Sequence, residues 1–249
     1  MASSASSVES SATRVKPGVA PLRAGQGYSF VLRRLHSLSG IIPIGAFLIE
    51  HFISNAEATK SPQAYNDQVK FLTGLPFVHW MEWLFIFLPL LYHALYGIYI
   101  WYKGDSNVGE YPWSGNWLYT SQRWTGIIAF IYIAYHLYTM RFTGVYLMEN
   151  PNAGFWKVQQ EFMNPWAVAA YVIGIVAASW HFSYGIWLFA AKWGFTVGDN
   201  ARRKFGVVCA GLAVILVAIG IFTIRGFLNT PPVPAPSALE SPYDTSQVR

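Results

Sequence analysis

Residues 166–191 read WAVAAYVIGIVAASWHFSYGIWLFAA, a run with no charged side chain and a single imidazole, His181. It exceeds the ~20 apolar residues that carry a helix across a bilayer core. In lipid such a run must be helical, because only a helix or a closed barrel satisfies every backbone group internally. A histidine at that depth is expensive unless a partner offsets its desolvation, so His181 is a functional residue by default.

Working outward, the pattern recurs at 29–53, 80–102, 122–145 and 206–228. The composition agrees: 53% of the 249 residues are hydrophobic and 12% are charged, about half the charged share of a soluble domain. The expected fold is all-α, an integral membrane bundle of five transmembrane helices over residues 28–228. Residues 1–27, rich in Ser and Ala, read as a disordered cytoplasmic tail. Residues 229–249, with Pro231, Pro232, Pro234 and Pro236, read as an extended, solvated Pro/Ser-rich tail. No soluble catalytic domain fits.

Basic residues set the expected orientation. With the N-terminus cytoplasmic and the C-terminus outside, the inner side holds eleven of the seventeen Lys and Arg, including Arg33, Arg34 and the run Arg202 to Lys204. The positive-inside rule favours that arrangement. The net charge of +5 reflects the same bias and does not point to nucleic acid.

Four of the five runs carry one interior histidine each: His51, His93, His136 and His181. Helix rise gives their depths. His51 lies ~27 Å from Arg33 and His136 ~22 Å from Ser121, both toward the outer face; His93 and His181 lie ~21–24 Å inward from the outer starts of their helices. Depth therefore pairs His51 with His136 and His93 with His181, in two centres ~15 Å apart along the normal.

Two neutral imidazoles are the axial set for a haem iron, and a flat macrocycle suits an apolar slot between aromatic-rich helices. Zinc or a di-iron centre would call for further Cys or carboxylate ligands. Glu50 alone adjoins one of the four histidines, and the sole cysteine, Cys209, is on another helix. No Cys-x-x-Cys-His occurs, so the expected cofactors are two non-covalent haem b groups. His36 sits at the inner interface and His79 at the outer start of the second helix, and neither is an expected axial ligand. Gly97, Gly126, Gly174 and Gly185 allow close approach of a helix or a porphyrin.

The segments Arg33-Arg34-Leu35-His36-Ser37, Phe87-Leu88-Pro89-Leu90 with Tyr92-His93-Ala94-Leu95-Tyr96-Gly97, Gln122-Arg123-Trp124-Thr125-Gly126-Ile127, and His181-Phe182-Ser183-Tyr184-Gly185 closely resemble the di-haem cytochrome b anchor, of cytochrome b558 type, of bacterial succinate:menaquinone oxidoreductases and the related quinol:fumarate reductases. The resemblance covers about residues 28–228. It implies that His51 and His136 ligate a distal haem and His93 and His181 a proximal one. It implies an anchor in the bacterial cytoplasmic membrane that docks a flavoprotein subunit and an iron–sulfur subunit and passes electrons from succinate to menaquinone. The chain has neither a dinucleotide-binding glycine fingerprint nor cysteines for iron–sulfur ligation, so succinate oxidation falls to those partners.

Near the inner boundary, His36, Ser37, Arg123 and Lys192 are candidate contacts for the proximal haem propionates, and Arg141, five residues past His136, is the candidate at the distal one. Glu50 and Arg141 are candidate quinone contacts on the outer side. Some fumarate reductase anchors carry a glutamate two residues before the proximal ligand of helix four, and this chain has Ser179 there, which favours the succinate-oxidising branch. A quinol:fumarate reductase running in reverse, a di-haem cytochrome b of a hydrogenase or formate dehydrogenase, and a haem-free transport or scaffold protein stand as alternatives.

Overall fold

The computed structural model describes residues 24–236. The expectations for most of the N-terminal tail and for the end of the C-terminal tail lie outside them. The chain divides into two units, 1–34 and 35–249. Within the first, the Arg34 guanidinium lies 5.0 Å from the centre of the Phe30 ring. α1 begins in the first unit, and the packing and side-chain contacts that follow lie in the second.

Every regular element among the described residues is helical: α1 (Ala24–Ile41), α2 (Pro43–Asn55), α3 (Pro62–Thr73), α4 (Val78–Met81), α5 (Leu88–Lys103), α6 (Ser114–Leu137), α7 (Gly154–Phe162), α8 (Pro165–Lys192) and α9 (Asp199–Asn229). Among the described residues four continuous segments are long and apolar enough to cross a membrane: Tyr28–Thr59, Val78–Lys103, Pro165–Lys192 and Asp199–Asn229. They cover four of the five expected spans. The remaining one, α6, has 24 residues, but Gln122, Arg123, Tyr132, Tyr135 and His136 dilute its Ile and Ala.

Prolines explain where the long segments break. α1 yields to α2 at Pro43, which takes the first helical position, where its missing N–H is no loss. Upstream of Pro89 the residues Glu82–Phe87 widen into a π-helical turn, with the Leu88 N–H reaching back to the Trp83 carbonyl. A proline leaves the carbonyl four residues earlier without its donor, and a π turn is one way a helix absorbs that mismatch.

α8 is the centre of the bundle, packed against α6 on one side and α9 on the other. The densest part of the core lies at the end that carries α3 and α7. There Tyr65 of α3, Phe155 and Phe162 of α7, Tyr171 of α8 and Phe227 of α9 pack ring on ring at centroid distances of 4.7 to 6.0 Å. These short amphipathic helices were not expected from the hydropathy pattern. Asn66 ties them together, donating to the Asn152 carbonyl at 2.7 Å and accepting from the Phe155 N–H at 2.8 Å.

The C-terminal tail begins differently from the solvated extension expected of it. Buried Gln159 donates to the carbonyls of Phe227, Thr230 and Pro231 at 3.2, 2.9 and 3.3 Å, and accepts from the Val233 N–H at 2.8 Å. One amide thus caps the end of α9 and holds the first residues beyond it against α7.

Candidate functional site

The four span histidines meet in the pairs expected from depth. The rings of His93 on α5 and His181 on α8 are 6.1 Å apart, centroid to centroid, at 84°. Those of His51 on α2 and His136 on α6 are 5.7 Å apart at 75°. Two imidazoles bound to one metal through bonds of about 2 Å have their centroids about 6 Å apart. The donor set also fits. Among the described residues no three His, Cys, Asp or Glu side chains converge, so each pair is short of a tetrahedral zinc site and matches the two axial positions of a haem.

Hydrogen bonds orient the rings. His93 donates from Nδ1 to the His36 carbonyl at 2.9 Å, and His181 from Nδ1 to the Gln122 carbonyl at 3.0 Å, while the Gln122 side chain donates back to the His181 carbonyl at 3.0 Å. A backbone carbonyl can only accept, so both rings carry their proton on Nδ1 and keep the Nε2 lone pair for a metal. In the other pair the Nδ1 of His136 lies 3.0 Å from the Tyr171 hydroxyl. His51 differs again: its Nδ1 faces the side-chain amide nitrogen of Asn55 at 3.3 Å, a donor.

Glycines give the first pair its space. A Cβ on Gly126 would come within 2.7 Å of His181 Cε1, and one on Gly40 within 2.8 Å of His93 Nδ1. Gly97 faces His36 and Gly174 faces the Tyr132 ring, whereas Gly185 has only the Gln122 amide, at 3.6 Å.

The structure separates the remaining candidates. His36 stacks on His93 at 4.1 Å and 8°. Ser37 accepts from the Trp193 indole at 3.2 Å, and Lys192 is near enough to His36 to act on it electrostatically. These three candidates form one polar cluster beside the His93–His181 pair. Arg123 is directed elsewhere: its guanidinium donates to the carbonyls of Trp101 and Gly104, the latter at 2.6 Å, and to the Tyr119 hydroxyl at 2.7 Å. A cation at the carbonyl end of α5 complements that helix terminus, which explains the position without a propionate. His79 is exposed.

Near the His51–His136 pair, Glu50 accepts from Ser54, which in turn accepts from Gln68 at 3.0 Å. Arg141 forms an ion pair with Glu82 at 2.7 Å and lies 5.0 Å from the centre of the Tyr146 ring. Lys157 of α7 is buried, and its ammonium donates to the carbonyls of Met140, Thr143 and Val145, each at 2.8 Å. Burial lowers its pKa, Glu161 opposes the shift and Arg141 adds to it. Gln122, Tyr171, Asn55, Glu82 and Lys157 are the supporting residues that the sequence reading did not single out as part of the site.

Residues 104–220 match the succinate dehydrogenase/fumarate reductase transmembrane subunit family. Over 199 residues the chain is 37% identical to the succinate dehydrogenase cytochrome b558 subunit of Bacillus subtilis (strain 168), an overlap that covers 80% of this chain and 97% of that one. With apolar helices of membrane length and histidines paired between them, this chain belongs to the succinate dehydrogenase/fumarate reductase transmembrane subunits.

Proposed function

We propose that this chain is the di-haem cytochrome b anchor of a bacterial succinate:menaquinone oxidoreductase. The spacing of two histidine pairs, 6.1 and 5.7 Å between centroids, carries the reading. His93 and His181 are the axial ligands of a proximal haem b, and His51 and His136 of a distal one. When bound, these groups supply one-electron transfer between an iron–sulfur subunit and menaquinone.

The chain's own residues bind and orient. His36, Ser37 and Lys192 meet the proximal propionates, where a lysine ammonium beside a carboxylate forms a charge-assisted bond. Arg123 is left out of this set because it closes the end of α5. Glu50 and Arg141 border the menaquinone site on the outer side, with Glu82 fixing the arginine. α6 serves as the middle of five spans, its polar side chains turned to use inside the bundle, and the N-terminus faces the cytoplasm. The flavoprotein and iron–sulfur subunits dock on that face of the cytoplasmic membrane.

Ser179, two residues before His181 and fully buried, supports the succinate-oxidising direction. A hydroxyl does not exchange protons near neutral pH as a tuned carboxylate does. Purification of the complex in mild detergent tests the reading. Two haems b per chain, reduced by succinate, with both soluble subunits present are expected; a chain that purifies without haem, or whose haem succinate leaves oxidised, overturns it.

A further inference from the structure

Along α8 the rings of Trp180, Tyr184 and Trp187 form a ladder, stacked at 6.0 Å and 19° and then at 5.2 Å and 15°. Its two indoles are fixed: Trp180 donates to the Ser121 hydroxyl at 3.1 Å and Trp187 to the Arg202 carbonyl at 2.8 Å. Opposite the ladder α9 presents small residues. A Cβ on Gly206 would lie 3.3 Å from the Trp187 indole nitrogen. Between the two helices a cavity of about 320 Å³ remains.

The walls of this cavity are mostly apolar. Ser183, 1% exposed, lines it with a buried hydroxyl that has no hydrogen-bond partner among the described residues. At one end stand Arg202 and Arg203, both exposed and neither in an ion pair among the described residues. They are the fourth and fifth residues of the 31-residue α9, close behind the opening N–H groups that favour an anion. Asp199 opens the same helix and offsets one of the two charges. From Arg202 to Ala213, which also lines the cavity, the helix rises ~16 Å, about half of the ~30 Å hydrocarbon core. That is the depth of one leaflet.

We propose that this groove binds one anionic phospholipid, its phosphate against Arg202 and Arg203 and an acyl chain along the Trp180–Tyr184–Trp187 ladder. A soluble partner reaches the two arginines but not a slot that runs one leaflet deep. A zwitterionic lipid fills the slot but leaves the second arginine uncompensated. None of the four paired histidines lines the groove, so the proposal goes beyond the haem and quinone reading and can fail without it.

Native mass spectrometry of the delipidated complex, titrated with phosphatidylglycerol or with phosphatidylcholine, tests the proposal. One phosphatidylglycerol is expected to bind with clear preference over phosphatidylcholine. The double variant R202Q/R203Q should weaken it about 30-fold, about 1 kcal/mol for each charge lost. Ala210→Trp, which fills the slot and leaves the arginines, should abolish the preference as well. Haem content and subunit composition of each variant show that the fold is intact. Equal binding of the two lipids, unchanged affinity in either variant, or menaquinone in place of lipid overturns the proposal.

Discussion

The Nδ1 of His136 lies 3.0 Å from the Tyr171 hydroxyl, so this ring is oriented by a side chain of α8 where His93 and His181 are oriented by backbone carbonyls. The difference matters because a side-chain partner can be removed without disturbing the chain. A hydrogen bond to the far nitrogen of a ligating imidazole sets its tautomer and raises its basicity.

Tyr171→Phe should therefore weaken haem retention at the His51–His136 pair about tenfold, at the low end of what outer-shell substitutions do, and leave the other pair intact. Haem loss on dilution in detergent, followed by the visible spectrum, measures it. Equal loss from both pairs would mean that the hydroxyl does not act through His136.

His136→Ala and His181→Ala should each remove one haem and spare the other, because each takes one axial ligand from one pair. His51→Ala should reproduce the spectrum of His136→Ala, and His93→Ala that of His181→Ala. Pyridine haemochrome analysis with redox titration decides the pairing. Four mutants that lose haem in any other grouping would break it.

The glycines of the spans are not equivalent. Gly126→Ala brings a Cβ to 2.7 Å from His181 and should displace that ring, with a destabilisation of about 1–3 kcal/mol as in other overpacked interiors. Gly185→Ala, which meets only the Gln122 amide at 3.6 Å, should be neutral within about 0.5 kcal/mol. Thermal unfolding and the proximal haem spectrum of the two variants should separate cleanly.

Lys157→Met leaves three inward-turned carbonyls just past His136 without their donor. Hydrogen bonds to charged groups are the stronger kind, and buried acceptors left unpaired are costly, so a loss of about 2–4 kcal/mol is expected. The distal haem should be the first to go on warming. A variant with wild-type thermal stability would show that these bonds contribute little.

Much of the site was legible in the sequence because lipid penalises an unpaired imidazole: His51, His93, His136 and His181 stood out by residue type and paired by helix rise. The partners that orient them did not. The carbonyls of His36 and Gln122 belong to no side-chain pattern, and Tyr171 and Asn55 are ordinary in aromatic spans and at helix ends. Lys157 did not stand out, since its burial depends on α7 folding over the end of α6. α3 and α7 were missed for a related reason: a search for membrane-length apolar runs passes over amphipathic helices of twelve and nine residues. Arg123 was expected at a haem propionate, but the carbonyl end of α5 claims it.

The proposed route carries electrons from the cytoplasmic face outward to a quinone beside the His51–His136 pair. An elementary charge crossing the whole membrane exchanges about 2.3 kcal/mol for each 100 mV of potential. Outward electron movement in a cell that is negative inside runs with that field, so the potential drives menaquinone reduction. Ser179 is fully buried in α8 and cannot carry the compensating proton flow that a carboxylate would, so nothing at this position cancels the drive. In sealed vesicles oriented like the cell, an uncoupler should slow menaquinone reduction by succinate, while the same enzyme in detergent should not respond. A rate in vesicles that is indifferent to the uncoupler would place the quinone at the inner face, or give the chain a proton route that does not pass Ser179.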